Sequence, residues 1–350
     1  MGVHTAPPEG GSSVRAPLGM WIWLLGAIGF GVGYALFAVE TGHHQACRFT
    51  PNAKSCHFFS NISQFHTWLA LVGAQVALWF ALAPGLLLAT TELWQATSGL
   101  WQKAKVRDYV PAAVAYLAFS GFVLVTGGMI IKLLKPVPPL IHFPGRVTVL
   151  TVLGLLVVAP AATGMWRILA ILAPIHKAYE QAKPGGPERL DGTAVATVIA
   201  MRRILKIVVG YVGAVIGSIA LSTGALRIAV VAWNTMASTA AGGAAGGFDF
   251  PQEFVLLYAI FFVVLLALVY IPVYLSLERA GRQILEAAFP IPAGPLGTGS
   301  PKADWYTGRK ALEDLLQLGI RLEESLRAGV AILAPLGGLL LSTFLPGAKP

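Results

Sequence analysis

The amino-acid sequence predicts an all-α fold: a polytopic bundle of transmembrane helices with six spans and a seventh, C-terminal apolar segment that either crosses or re-enters. Three observations carry this reading. First, 56% of the 350 residues are hydrophobic and 12% are charged, with a mean hydropathy of +0.70. Soluble domains carry roughly a quarter charged residues. Second, the charges leave long windows without Asp, Glu, Lys or Arg, and about 20 helical residues suffice to cross a bilayer core of about 30 Å. Third, the basic residues are dense in every other connection between those windows.

A polar, Pro/Gly/Ser-rich head, residues 1–15, is expected to be disordered. The first span, about 17–39, is longer than the apolar region of a secretory signal and reads as a retained anchor. It carries Gly26, Gly29, Gly31 and Gly33. Small residues let helices approach closely in lipid, whereas a dinucleotide fingerprint would need a preceding strand, so these glycines are assigned to helix packing.

The second span, about 66–91, carries Gln75 and Pro84. The third, about 109–131, carries Ser120 and Thr126, and the fourth, about 147–167, ends at Arg167. The next connection breaks at 184–187 and restarts at Asp191, a helix cap that leads without interruption into the fifth span, about 205–230. That span holds a Gly213-x-x-x-Gly217 packing motif, then Ser218, Ser222, Thr223 and Arg227. The window 228–248 is free of charge too, but its small and polar residues favour a flexible loop. A sixth span, about 254–277, completes the membrane domain 16–277. A Pro/Gly-rich linker, 278–303, then precedes an amphipathic helix, 304–327, with leucines at helical spacing. The apolar segment 328–346 contains Pro335 and two glycines, so it crosses, re-enters or lies at the interface.

Lysine and arginine accumulate in cytoplasmic loops. With the N-terminus inside, 18 of the 25 basic residues fall in inner segments, which sets the expected orientation. The Ala-, Gly- and Leu-rich composition suggests a plasma (inner) membrane protein of bacterial type. The net charge of +9 is accounted for by basic residues beside anionic head groups. No basic stripe with interleaved aromatics stands apart from a membrane boundary, so nucleic acid is not an expected partner.

The outer 40–66 loop holds both cysteines, Cys47 and Cys56, and four histidines, His43, His44, His57 and His66. Outside the reducing cytosol the cysteines are expected to form a disulfide. An alternative is a metal site on the four histidines, although their spacing fits no standard zinc pattern.

No H-E-x-x-H, G-x-S-x-G or P-loop motif occurs, so catalysis is not indicated. Histidines within spans, which a common intramembrane haem would need, are missing, and no cofactor is expected. Every carboxylate lies at or beyond a span's edge, which argues against a proton-coupled carrier. The candidate pathway or gating residues are therefore Gln75, Ser120, Thr126, Ser218, Ser222 and Thr223, all neutral, together with Arg167 and Arg227. Each arginine has a plain alternative, to end its helix or snorkel to the interface.

The expected function is a channel-like or pore-forming homo-oligomer. One alternative is a non-conducting scaffold or sensor that recruits a cytoplasmic partner through 304–327. The other is an outer-face metal or redox protein.

Overall fold

A computed structural model describes residues 15–38, 62–101, 110–133, 142–181, 192–240, 252–290 and 303–318. Among the described residues there are seven helices and no strand: α1 (Arg15–Ala38), α2 (Ser63–Trp101), α3 (Val110–Leu133), α4 (Phe143–Gln181), α5 (Gly192–Ala240), α6 (Gln252–Ala288) and α7 (Ala303–Leu315). Runs of Ala, Leu, Ile and Val favour this outcome in an apolar solvent, because a helix pairs its own backbone groups where no water can.

Five helices are long and apolar enough to cross a membrane, α1, α2, α4, α5 and α6, as in a multi-pass membrane protein. The third expected span coincides with α3, whose described apolar run is Ala113–Met129. At about 1.5 Å per residue that run covers roughly 26 Å, short of a core of about 30 Å. The segment 328–346 lies outside the described residues.

Helix boundaries differ from the charge-free windows for one physical reason: a charge ends an apolar stretch but not a helix. α5 is 49 residues long, roughly 74 Å at about 1.5 Å per residue, and carries Arg202, Arg203 and Lys206 within it. It also continues to Ala240, through the first half of the region expected to be a loop. Ala, Met and Trp extend a helix already nucleated, and the glycine pair at 242–243 follows. The described part of the expected helix 304–327 is α7 with the turn after it, and 319–327 lie outside the described residues. α7 starts at Ala303 and ends at Leu315, and Leu316–Leu318 form a turn in which Gln317 adopts φ 53°.

α2 is the axis of the bundle, with α1, α4 and α5 against it; α6 packs on α4 and α5. α3 leans chiefly on α4 and meets α6 where Phe122 lies 6.1 Å from Phe261, centroid to centroid. One core cluster joins α2, α4, α5 and α6 around Trp79, Leu86, Ile168, Leu172, Met201 and Ile284. A second, near the start of α2, gathers Phe37, Phe65, Trp68, Phe143 and Trp233, with Phe37 edge-on to Trp68 at 5.0 Å. Outward faces present Trp23, Leu117, Leu156 and Leu268, a surface suited to hydrocarbon rather than water.

α7 folds back on the ends of α5 and α6. Leu312, Leu316 and Leu318 are buried, Arg309 donates to the Phe289 carbonyl, and Arg202 donates to the Gln317 carbonyl at 2.6 Å. Lys206 reaches the Gln317 side chain at 2.8 Å. Of the described leucines in the stripe offered as an alternative docking surface, Leu312 and Leu316 are covered by the chain's own bundle and Leu315 is exposed.

The α1–α2 contact rests on two of the predicted packing glycines. A Cβ at Gly29 would lie 2.8 Å from the Val76 carbonyl oxygen, and one at Gly33 2.8 Å from that of Val72. Gly26 is looser, 4.0 Å from the Ala77 carbonyl, and a Cβ at Gly31 would meet nothing within 4 Å. Gly213 and Gly217 are buried on α5. Gly29→Ala and Gly33→Ala should each cost about 1–3 kcal/mol by overpacking, whereas Gly31→Ala should cost nothing. Unfolding in mixed detergent micelles measures the difference.

Candidate functional site: an intramembrane cavity

Because α3 packs mainly on one neighbour, space remains between it and the rest of the bundle. A cavity of about 510 Å³ lies there, walled by α2, α3, α4, α5 and α6 with Phe37 of α1 at one end. Its size falls within the range of about 300–1,000 Å³ usual for small-molecule sites. Along α4 the wall extends from Phe143 to Leu169, roughly 39 Å at about 1.5 Å per residue, so the cavity is elongated. The lining is largely aliphatic and aromatic, including Trp68, Trp79, Phe119, Phe262 and Leu265. Among the described residues no Asp, Glu, Lys, Arg or His lines it.

The polar groups of the wall fall into two kinds. Most are already committed. Thr151 donates to the Val147 carbonyl at 2.8 Å, Ser222 to that of Ile219 at 3.0 Å, and Thr223 to the same carbonyl at 2.8 Å. These hydroxyls bond to their own helices, as expected in an apolar setting. Trp79 Nε1 donates to Ser218 Oγ at 3.0 Å, and Ser218 in turn donates to the Val215 carbonyl at 2.7 Å. The Tyr116 hydroxyl donates to the Leu155 carbonyl in the turn ahead of Pro160, whose ring removes the hydrogen bond to Leu156 and loosens the helix. That bond ties α3 to α4.

Two groups are not committed. Gln75 Oε1 and Trp166 Nε1 are buried and have no hydrogen-bond partner, yet both residues line the cavity. Gln75 is only 3% exposed.

Of the residues singled out from the sequence, Gln75, Thr126, Ser222 and Thr223 come together in this wall. Ser218 stands one hydrogen bond behind it, and Ser120 is half-buried on α3 outside the lining. Arg167 is 2% exposed within the bundle, and α4 runs on to Gln181. Arg227 is half-buried and α5 continues beyond it. Neither arginine ends a helix, and neither lines the cavity. His66 is exposed in the first turn of α2, its ring edge-on to Phe65 at 5.7 Å. Cys47, Cys56, His43, His44 and His57 lie outside the described residues, and among the described residues no group of three His, Cys, Asp or Glu could hold a metal.

Tyr116, Trp79 and Trp166 are contributors that the sequence reading missed. The available signal was an aromatic ring with one polar atom inside a charge-free span, since such an atom needs a partner when buried. A second polar tie lies farther along α4, where His176 bridges Gln283 Oε1 at 2.7 Å and Ser276 Oγ at 3.1 Å, joining α4 to α6.

Tyr116→Phe should release α3 selectively. Losing one net hydrogen bond of about 0.5–1.5 kcal/mol should raise amide exchange in 114–125 roughly three- to tenfold and leave α2 and α5 unchanged. Hydrogen-exchange mass spectrometry in nanodiscs reads this directly.

The chain matches no family model, no curated protein and no solved structure, so the cavity's own geometry and chemistry carry the functional reading.

Proposed function

We propose that the chain is a six-span membrane protein that takes an uncharged, apolar molecule from the bilayer into the cavity behind α3. One observation carries the reading: an elongated cavity with a charge-free, largely apolar wall, closed on one side by a helix that packs chiefly on a single neighbour. Apolar ligands are favoured there by ordinary burial of surface. A loosely held wall helix gives a lateral route from the lipid that avoids any aqueous step.

The channel-like reading has less support. Its neutral candidates Gln75, Thr126, Ser222 and Thr223 are set among aromatic and aliphatic side chains, and the serine and threonine hydroxyls at 222 and 223 bond to their own helix. A conducting path instead needs a succession of groups that replace an ion's hydration. The homo-oligomer and the recruiting scaffold rest on sequence alone, and the burial of Leu312 in α7 and of Leu316 and Leu318 in the turn after it favours an intramolecular role for that segment. We retain the N-inside orientation in the inner membrane from the distribution of basic residues, and a Cys47–Cys56 disulfide in the outer loop, as parts of the proposal.

Proteoliposomes labelled with a diazirine-tagged alkane test the reading. Cross-links should fall on cavity residues such as Phe119, Leu265 and Leu266. Gly127 lines the cavity, and a Cβ there meets nothing within 4 Å; Gly127→Leu should therefore cut that labelling severalfold without loss of thermal stability. Labelling confined to Leu117, Leu156 and Val264, which are exposed and lie outside the lining, would contradict the proposal. The same liposomes should hold an ion gradient, and steady unitary conductance would restore the channel.

A further inference from the structure

The wall that admits an apolar molecule also specifies what that molecule must carry. A carboxylate, phosphate or ammonium in the cavity would be stripped of water with no counter-charge among the lining residues, which is prohibitive in hydrocarbon surroundings. A pure hydrocarbon would leave the Gln75 amide as it stands, buried with its Oε1 unpartnered. Native proteins rarely leave such a group unsatisfied.

The position of Gln75 can be read from its neighbours. Trp79, one turn along α2, is level with Ser218 through their 3.0 Å hydrogen bond. It is level with Gly154 as well, where a Cβ would lie 3.1 Å from the indole ring. One turn farther toward the Phe143 end, Gln75 and Ser222 share the cavity wall. From that level to Trp166 at the other end is roughly 24 Å at about 1.5 Å per residue, space for an extended chain.

We propose that the ligand is an uncharged long-chain alcohol-type lipid, its hydroxyl paired with the Gln75 amide and its chain lying along α4 toward Trp166. A hydroxyl both donates and accepts, so it satisfies the amide whichever way that group is turned. Ser222 Oγ already donates to the Ile219 carbonyl, so the ligand's single hydroxyl proton is left for Gln75 Oε1. This inference depends on the cavity-binding reading above and names the chemical class that the cavity selects.

Competition in proteoliposomes of the full chain tests it, with a diazirine-tagged hexadecane as the cavity probe and hexadecanol, hexadecane and hexadecanoate as competitors. Hexadecanol should displace the probe from the wild type at roughly three- to tenfold lower concentration than hexadecane does, the worth of one hydrogen bond in lipid. Gln75→Leu should abolish that preference while hexadecane labelling persists, and Gln75→Met, closer in shape, should behave alike if the leucine variant does not fold. Equal competition by alcohol and alkane in the wild type, or strongest competition by hexadecanoate, overturns the hydroxyl recognition and leaves cavity binding standing. Absence of probe in the cavity altogether overturns the binding reading itself.

Discussion

The constraint from which the structure follows is that hydrocarbon offers no hydrogen bonds, so every polar atom in the bundle must find its partner within the chain. Helices satisfy the backbone. Side chains then follow a visible hierarchy: threonines and serines bond back to their own helices, as at Thr151, Ser222 and Thr223, while the indole of Trp79 reaches across to Ser218. Against that rule Gln75 Oε1 and Trp166 Nε1 stand out in the cavity wall, because both are buried in the same environment without a partner. A group that breaks the rule governing its neighbours is the natural place to look for a ligand.

The same constraint shapes the packing. With no hydrophobic drive between helices in lipid, close approach and polar ties hold them together. Gly29 and Gly33 let α1 lie directly on the α2 backbone, and α2 is further gripped by α4 and α5 around Trp79, Leu86 and Leu172. α3 lacks comparable contacts. It is tied to α4 by Tyr116 and touches α6 through Phe122 and Phe261, and the cavity is the volume that this sparse packing leaves. One weakly gripped helix on a tightly gripped axis thus creates both the site and its access.

Much of the architecture was legible because charge is so costly in a bilayer that its spacing marks the spans. The glycines of α1 and the neutral polar residues of α2 and α5 were also legible, since each is conspicuous in an aliphatic run. Helix ends were less so. Arg167 and Arg227 close apolar windows but lie inside continuous helices, where Arg167 is fully buried. The Ala-rich stretch after Arg227 was read by its low hydrophobicity, although helix formation depends on backbone propensity. The leucines after Asp304 announced an amphipathic helix where the structure has one at Ala303–Leu315, with the rest of that stretch outside the described residues beyond 318, and their periodicity says nothing about which surface covers them. Tyr116 and Trp166 escaped notice because an aromatic residue in a span looks apolar until its single polar atom is placed.

The central claim is that the space behind α3 is a ligand site rather than a packing defect or a water path. Electron cryomicroscopy of the chain in lipid nanodiscs, purified without exposure to detergent, tests it most directly. The account predicts an elongated, lipid-like density along α4 between Phe143 and Trp166, with one end against Gln75. An empty cavity closed by α3 packed flush on α5 and α6, or a file of ordered waters running through it, would contradict the account.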